Sequence, residues 1–227
     1  MTFVAIEGND GSGKATQTGL LARALASCGY TCETFAFPAY QLTLGGQLLG
    51  ELLAGKRGDF VRMDARLASL PYALDRFELA PRMRGALAQG KVVVSDRYIG
   101  ANQMHQGGKI RDDAERRAYL DWLTRLEYGL LGNPRPDLVV YLKVPLQISL
   151  DLLRQKRAAK NPGLVKGDLD QAEKDRNYLA NSIAMANWLA ERFPEWKVID
   201  CANAYGGMRA REDIHSEVWR TVAGVLR

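Results

Sequence analysis

The sequence predicts an α/β fold: a five-stranded parallel sheet with helices on both faces. Three observations predict it. Short apolar, β-branched runs alternate with amphipathic helical patterns along the chain. The first run is followed at once by G-x-x-x-x-G-K, from Gly8 to Lys14. An Asp-Arg pair, Asp96 and Arg97, closes the third run, and in such sheets ligands gather at the carboxyl ends of strands.

Residues 2–7 (TFVAIE) form the first strand, short and apolar. The helix after the glycine loop runs from about 13 to 27, with Leu21, Ala24, Leu25 and Cys28 at helical spacing. Residues 31–37 (TCETFAF) make the second strand, halted by Pro38. A short helix between glycines is predicted at 45–55. A long helical pattern follows over 60–89, in which Pro71 and Pro81 predict kinks or breaks. Residues 91–96 (KVVVSD) have the apolar character of a strand buried on both faces. A strongly amphipathic helix is predicted at 112–131, a strand at 137–144, and a helix at 145–157 opened by Pro145. A helix at 170–192, a strand at 196–201 and a helix at 210–226 close the pattern. No repeat or linker interrupts it. Residues 1–227 read as a single domain with right-handed crossovers, and a lid over about 154–170 is an excursion from it.

The chain has 227 residues, 47% hydrophobic and 25% charged, enough to bury a sizeable core. No apolar run approaches the roughly 20 residues that a bilayer demands, and no secretory pattern precedes the loop. Cys28, Cys32 and Cys201 have neither C-x-x-C nor zinc spacing and read as reduced thiols. The expectation is a cytoplasmic protein with no membrane partner. The net charge is +5, but acids and bases interleave, which argues against a nucleic-acid face. The exception is 154–166, where Arg154, Lys156, Arg157, Lys160 and Lys166 surround Pro162 and Gly163 with no acid. That is the composition of a lid that closes over phosphates.

In the context of strand, loop and helix, the glycine motif reads as a phosphate cradle. The backbone of Gly8, Asn9, Asp10, Gly11, Ser12 and Gly13, with the helix N-terminus, would hold a phosphate chain, and Lys14 would reach its terminal phosphates. The position that usually offers a hydroxyl to magnesium is Ala15, with Thr16 one place late. The cradle needs no side chain from Ala15, and Thr16 can still donate to a phosphate oxygen. Magnesium would then rest on phosphate oxygens, water and a carboxylate: Asp96, directly or through water, with Asp10 second. Arg97 would set a guanidinium near a transferring phosphate. Taken alone, a structural Asp–Arg ion pair explains the same two residues equally well.

Together these motifs resemble, over essentially the whole chain, the thymidylate kinase family, P-loop nucleoside monophosphate kinases that move the γ-phosphate of ATP onto dTMP. EGNDGSGKATQ (7–17) is similar to the family's E-G-x-D-G-x-G-K-x-T loop, and the resemblance implies that Asp10 contacts the 3′-hydroxyl of the acceptor. FPAY (37–40) resembles the turn after the second strand, which implies Phe37 and Pro38 at the acceptor. PYALDRFE (71–78) resembles a segment in which Tyr72 would stack on thymine and Arg76 would bind the acceptor phosphate. Positions i and i+4 share a helix face, so one helix can hold both ends of a nucleotide. DRY (96–98) matches DR[YFH], implying that Arg97 bridges donor and acceptor phosphates while Asp96 holds the magnesium water shell. ANQMHQGG (101–108) resembles the base-reading segment. It implies Asn102 on the thymine edge, Gln103 as a nearby alternative, and His105 beside the deoxyribose, excluding a 2′-hydroxyl. A loop histidine satisfied by backbone is an equal reading of His105.

Family members without an arginine directly after the loop aspartate place it in the lid. Here that position is Gly11, and Arg157 and Arg154 are the implied lid arginines. DLDQAEKD (168–175) resembles the acidic lid segment, with Glu173 near the reacting centre. The resemblance departs at Ala15, Tyr40 and Ala101, where members carry a hydroxyl residue, an arginine and a small polar residue. It implies ATP and Mg2+ as cofactors, dTMP and ATP as small-molecule substrates, and a homodimer packed through the helix at 60–89. Two readings stay open beside it. One is a related kinase acting on another deoxynucleotide or a deoxynucleoside. The other is a nucleotide-binding protein without catalysis, supported by Ala15 and the positive net charge.

Overall fold

The computed structural model describes residues 1–160, 172 and 175–226, excluding the side chains of 156–160. The predicted lid at 154–170, the acidic segment at 168–175 with Glu173, and the side chain of Arg157 thus lie wholly or largely outside the described residues. The apolar runs form β1 (Thr2–Gly8), β2 (Cys32–Ala36), β3 (Val92–Asp96), β4 (Leu138–Lys143) and β5 (Trp196–Asp200). Among the described residues they make a five-stranded sheet in the order β2-β3-β1-β4-β5, with every neighbouring pair parallel. The central strand β1 therefore sits where the strand order reverses, and its carboxyl end opens into the crevice where such sheets bind ligands.

Side-chain alternation divides the core in two. Phe3 and Ala5 face one layer with Val93, Val139 and Tyr141. That layer is covered by α3 (Ala65–Ala88), α4 (Ile99–His105), α5 (Asp113–Thr124) and α7 (Arg176–Arg192). Val4 and Ile6 face the other with Val94, Val140 and Leu142, under α1 (Lys14–Ser27) and α8 (Arg211–Ala223). The sheet is buried on both faces, as its near-continuous apolar strands require. A smaller cluster of Leu49, Leu52, Leu53, Phe60 and Ala68 seats α2 (Leu44–Leu53) on α3. α6 (Leu146–Lys160) follows β4.

Of the kinks or breaks expected in α3, no break occurs, and the helix expected at 112–131 ends early. α3 runs unbroken through Pro71 and Pro81. An interior proline costs about 3 kcal/mol, but α3 starts on a proper cap, Asp64, which accepts from the N–H groups of Arg66 and Leu67. It then buries Ala68, Ala73, Ala80, Met83 and Ala86 along its length, and that packing offsets the lost bonds. The second departure lies in the helix predicted at 112–131. α5 ends at Thr124 and gives way to a π-turn over Arg125–Leu130, a widening that re-aims side chains.

α2 approaches α3 through glycine. A Cβ on Gly45 would lie 2.4 Å from the backbone nitrogen of Asp75, and one on Gly46 2.4 Å from the Ala39 carbonyl oxygen. Carboxylates of α3 lock this junction: Glu78 accepts from the N–H groups of Leu44 and Gly45 at 2.9 and 2.8 Å, and Asp75 accepts from Ala39 N–H and the Thr43 hydroxyl. Gly45→Ala is expected to cost about 1–3 kcal/mol through this overpacking, lowering the melting temperature by several degrees. Gly85→Ala, in α3 itself, would meet nothing within 4 Å and should hold or raise it. Thermal melts of the two variants check the pair.

Candidate active site

The loop between β1 and α1 takes its shape from glycines. Gly8, Gly11 and Gly13 have φ of 155°, 84° and 87°, conformations that L side chains rarely adopt. Gly8 is also closed in: a Cβ there would lie 2.5 Å from the Ser12 hydroxyl oxygen. Gly13 is the N-cap of α1, and no side chain caps that helix. Its first-turn amides are therefore unclaimed by any side chain, and they carry the positive end of the helix dipole. Lys14 is buried and donates through Nζ to the Asn9 carbonyl at 2.8 Å, inside the loop. Burial and the nearby Arg97 bring its pKa down to about 8. The side-chain atoms of Asn9 and the Ser12 hydroxyl are buried without partners among the described residues. This donor set fits a phosphate chain.

Asp96 and Arg97 end β3 beside the loop. The Arg97 backbone adopts φ 63°, a left-handed conformation costing on the order of 1–3 kcal/mol for a non-glycine residue. Its N–H donates to the Ile6 carbonyl at 2.9 Å, and its guanidinium pairs with the Asp10 carboxylate. Burial alone would raise the Asp10 pKa, yet Arg97 and Lys14 hold it well below the usual carboxylate range. Asp10 is thus engaged by Arg97, while the Asp96 carboxylate has no hydrogen-bond or ion-pair partner among the described residues and lines the cavity. Of the two metal candidates, Asp96 is the one that fits a magnesium ion. No group of three or more potential metal ligands occurs among the described residues. Ala15 and Thr16 are exposed at the cavity edge.

A cavity of about 610 Å³ opens from this loop, within the range of small-molecule sites. Asp10, Lys14, Asp96 and Arg97 line it beside the loop. Phe37, Pro38, Tyr72, Asn102 and His105 line the same cavity, so the structure brings these predicted residues together. The Asn102 amide donates to the Ser69 carbonyl at 3.3 Å. His105 lies 3.4 Å from an Arg97 nitrogen and stacks on Tyr178 of α7, with ring centroids 5.6 Å apart. Burial and Arg97 push its pKa down to about 3, so it is neutral at physiological pH.

Other predicted residues lie elsewhere. Arg76, expected on the acceptor phosphate, is fully buried and does not line the cavity. It pairs with Glu127 from the π-turn and donates to the Tyr98 carbonyl at 3.3 Å. A guanidinium at that depth needs a carboxylate, and Glu127 is fixed in turn by the Asn133 amide at 2.6 Å. Gln103 does not line the cavity, whereas Gln106 does. Gln106 is fully buried, donates to the Tyr178 hydroxyl at 3.4 Å and leaves its Oε1 without a partner among the described residues. Arg154 is exposed on α6 and pairs with Asp151. Gly11 lies under α6, where a Cβ would come 3.1 Å from Leu152 Cβ. The Ser149 hydroxyl donates to the Asp10 carbonyl at 2.6 Å, tying loop to helix.

Glu7 and Tyr178 were missed as well. Glu7 sits inside the quoted loop motif but is fully buried, and burial raises its pKa to about 7 against the pull of Arg97. Tyr178, which lines the cavity, had no signal beyond an apolar helical position.

A family model described as thymidylate kinase matches residues 6–207. A thymidylate kinase of Mycobacterium tuberculosis is 33% identical over 169 residues, 74% of this chain and 78% of its own. A probable thymidylate kinase of Thermococcus onnurineus is 31% identical over 222 residues, 95% of this chain and 94% of its own. Among solved structures, a thymidylate kinase of Candida albicans matches with a TM-score of 0.73 at 21% identity, covering 98% of this chain and 91% of that one; at that identity it speaks for the fold.

The buried histidine sets a pH dependence. Its folded pKa, about 3, is below the ordinary 6.5, so the folded state favours the neutral ring. The stability it contributes is complete above about pH 6.5 and is lost as pH falls from 6.5 towards 3. Urea midpoints of wild type should fall across that window more steeply than those of His105→Phe; parallel curves would remove His105 as the cause.

Proposed function

We propose, given that the chain belongs to the thymidylate kinase family, that it transfers the γ-phosphoryl group of ATP to dTMP in line, giving dTDP and ADP. The carrying observation is one cavity shared by two sets of residues. The loop at the uncapped start of α1 lines it with Lys14, and Arg97, Tyr72, Asn102 and Gln106 line it too. In this reading the loop amides and Lys14 hold the β- and γ-phosphates. Arg97, anchored by Asp10, faces both the transferring group and the acceptor phosphate. The acceptor is already an anion and needs no strong base, so positioning and charge stabilisation carry the chemistry. Magnesium, held by Asp96 directly or through water, would supply further charge neutralisation at the phosphate oxygens.

Tyr72 and the Phe37–Pro38 turn would sandwich the base, with Asn102 and the free oxygen of Gln106 at its edge. Asp10 keeps a place at the cavity for the sugar 3′-hydroxyl, and the neutral His105 ring on Tyr178 closes the side where a 2′-hydroxyl would project. With Arg76 committed to Glu127, the acceptor phosphate depends on Arg97, while a lid arginine, Arg157 or Arg154, would help to spread the developing charge.

Leu67, Leu70, Leu74 and Phe77 are exposed along one face of α3, with Leu44 and Leu48 of α2 also exposed. Such a stripe supports a homodimer packed through α3. The cysteines are free thiols and fit a reducing compartment, so the proposal includes a cytoplasmic setting. Among the described residues no helix is long and apolar enough to cross a membrane.

A coupled ADP assay over a panel of nucleotides and nucleosides tests the acceptor: dTMP should give the highest kcat/KM, and a different best acceptor would reassign the substrate. Lys14→Met and Arg97→Ala should each lower kcat with dTMP by about 10³-fold or more, while near-wild-type turnover of Arg97→Ala would remove it from the reaction. Leu74→Glu should convert a dimer to a monomer in light scattering; an unchanged mass would place the interface elsewhere.

A further inference from the structure

β1 alternates Phe3 and Ala5 into the layer beneath α4, and its period of two points Glu7 the same way. A carboxylate thus occupies a position where the pattern calls for an apolar side chain, and it is fully buried. Its Oε1 accepts from the N–H of Tyr98 at 2.8 Å and of Ala101 at 3.0 Å. Both lie at the start of α4, which has no side-chain cap of its own from Tyr98. Its Oε2 has no partner among the described residues. The fit is close, for a Cβ on Gly100 would lie 2.7 Å from Oε1. Tyr98 directly follows Arg97, the non-glycine residue with left-handed backbone.

We infer that Glu7 is a positioning residue for phosphoryl transfer, holding the Arg97–Tyr98 turn from behind so that the Arg97 guanidinium stays against the phosphate loop. The bonds that stabilise an unfavourable backbone conformation must come from its neighbours. On one side of Arg97 the Ile6 carbonyl takes its own N–H. On the other, Glu7 takes the next N–H and one from the first turn of α4. Both anchors are consecutive residues of β1, so the strand that ends in the phosphate loop also sets the arginine that faces it. Without Glu7, two buried amides lose their acceptor and the turn can relax, swinging the guanidinium away.

The inference rests on the proposed dTMP kinase reaction, and one set of assays separates the two. Absence of wild-type turnover with dTMP and ATP would sink the reaction itself. Given wild-type turnover, Glu7→Ala should lower kcat about 10²-fold, the scale of a misplaced catalytic group, with each KM changed less than about threefold. Glu7→Gln, which retains an acceptor oxygen, should recover kcat to within about threefold of wild type. In an Arg97→Ala background, Glu7→Ala should change kcat less than about threefold, since the two act as one unit. Wild-type kcat in Glu7→Ala, Glu7→Gln as impaired as Glu7→Ala, or multiplicative effects of Glu7→Ala and Arg97→Ala would each overturn the inference. If Glu7→Ala does not fold, Gly100→Ala presses on the same carboxylate from the opposite side. It should lower kcat with little change in KM, and unaltered kcat there would equally overturn it.

Discussion

The ion pair between Asp10 and Arg97 is the join on which the site depends. It links the loop after β1 to the end of β3, the two adjacent strand ends at the point where the sheet reverses its order. Everything the cavity offers a nucleotide is arranged about that join. The loop after β1, Tyr72 of α3 and Asn102 of α4 all line that cavity, and His105 lies 3.4 Å from the guanidinium. Both partners are largely shielded, so their attraction is screened less than at an open surface. It constrains both partners, one in a glycine-shaped loop and the other on a left-handed backbone.

Charge is distributed economically around this join. Arg76, which the resemblance places on the acceptor phosphate, is withdrawn into the core by Glu127. That leaves Lys14 and Arg97 as the cations lining the cavity among the described residues. The same helix still serves the site through Tyr72. Its Asp75 and Glu78 anchor the segment that carries Phe37, Pro38 and Tyr40. α3 therefore gives the cavity scaffold more than charge.

The order of strands and helices, the phosphate loop and the Asp96–Arg97 pair were all legible from local pattern, because each is written within a dozen residues. What escaped depends on distance or rotation. Glu127 captures Arg76 from 51 positions away, and a π-turn that re-aims a carboxylate has no periodicity to announce it. That Gln106 lines the cavity and Gln103 does not follows from the backbone path of α4 and its end, which local pattern does not fix. Pro71 and Pro81 read as kinks or breaks because propensity is local, and no break occurs because α3 is held by packing along its whole length. Glu7 lay in plain view in the loop motif, but its burial follows from the sheet pairing.

The uncapped start of α1 has a thermodynamic consequence. Its first-turn amides, with Gly13 unable to cap them, are open to a bound anion in place of water. Whatever free energy phosphate contributes there belongs to the folded state alone, because the unfolded chain has no such cradle. By mass action the fold is stabilised in proportion to the logarithm of nucleotide concentration above its dissociation constant. The protein's lifetime against unfolding and proteolysis is thereby coupled to the nucleotide pool it draws on.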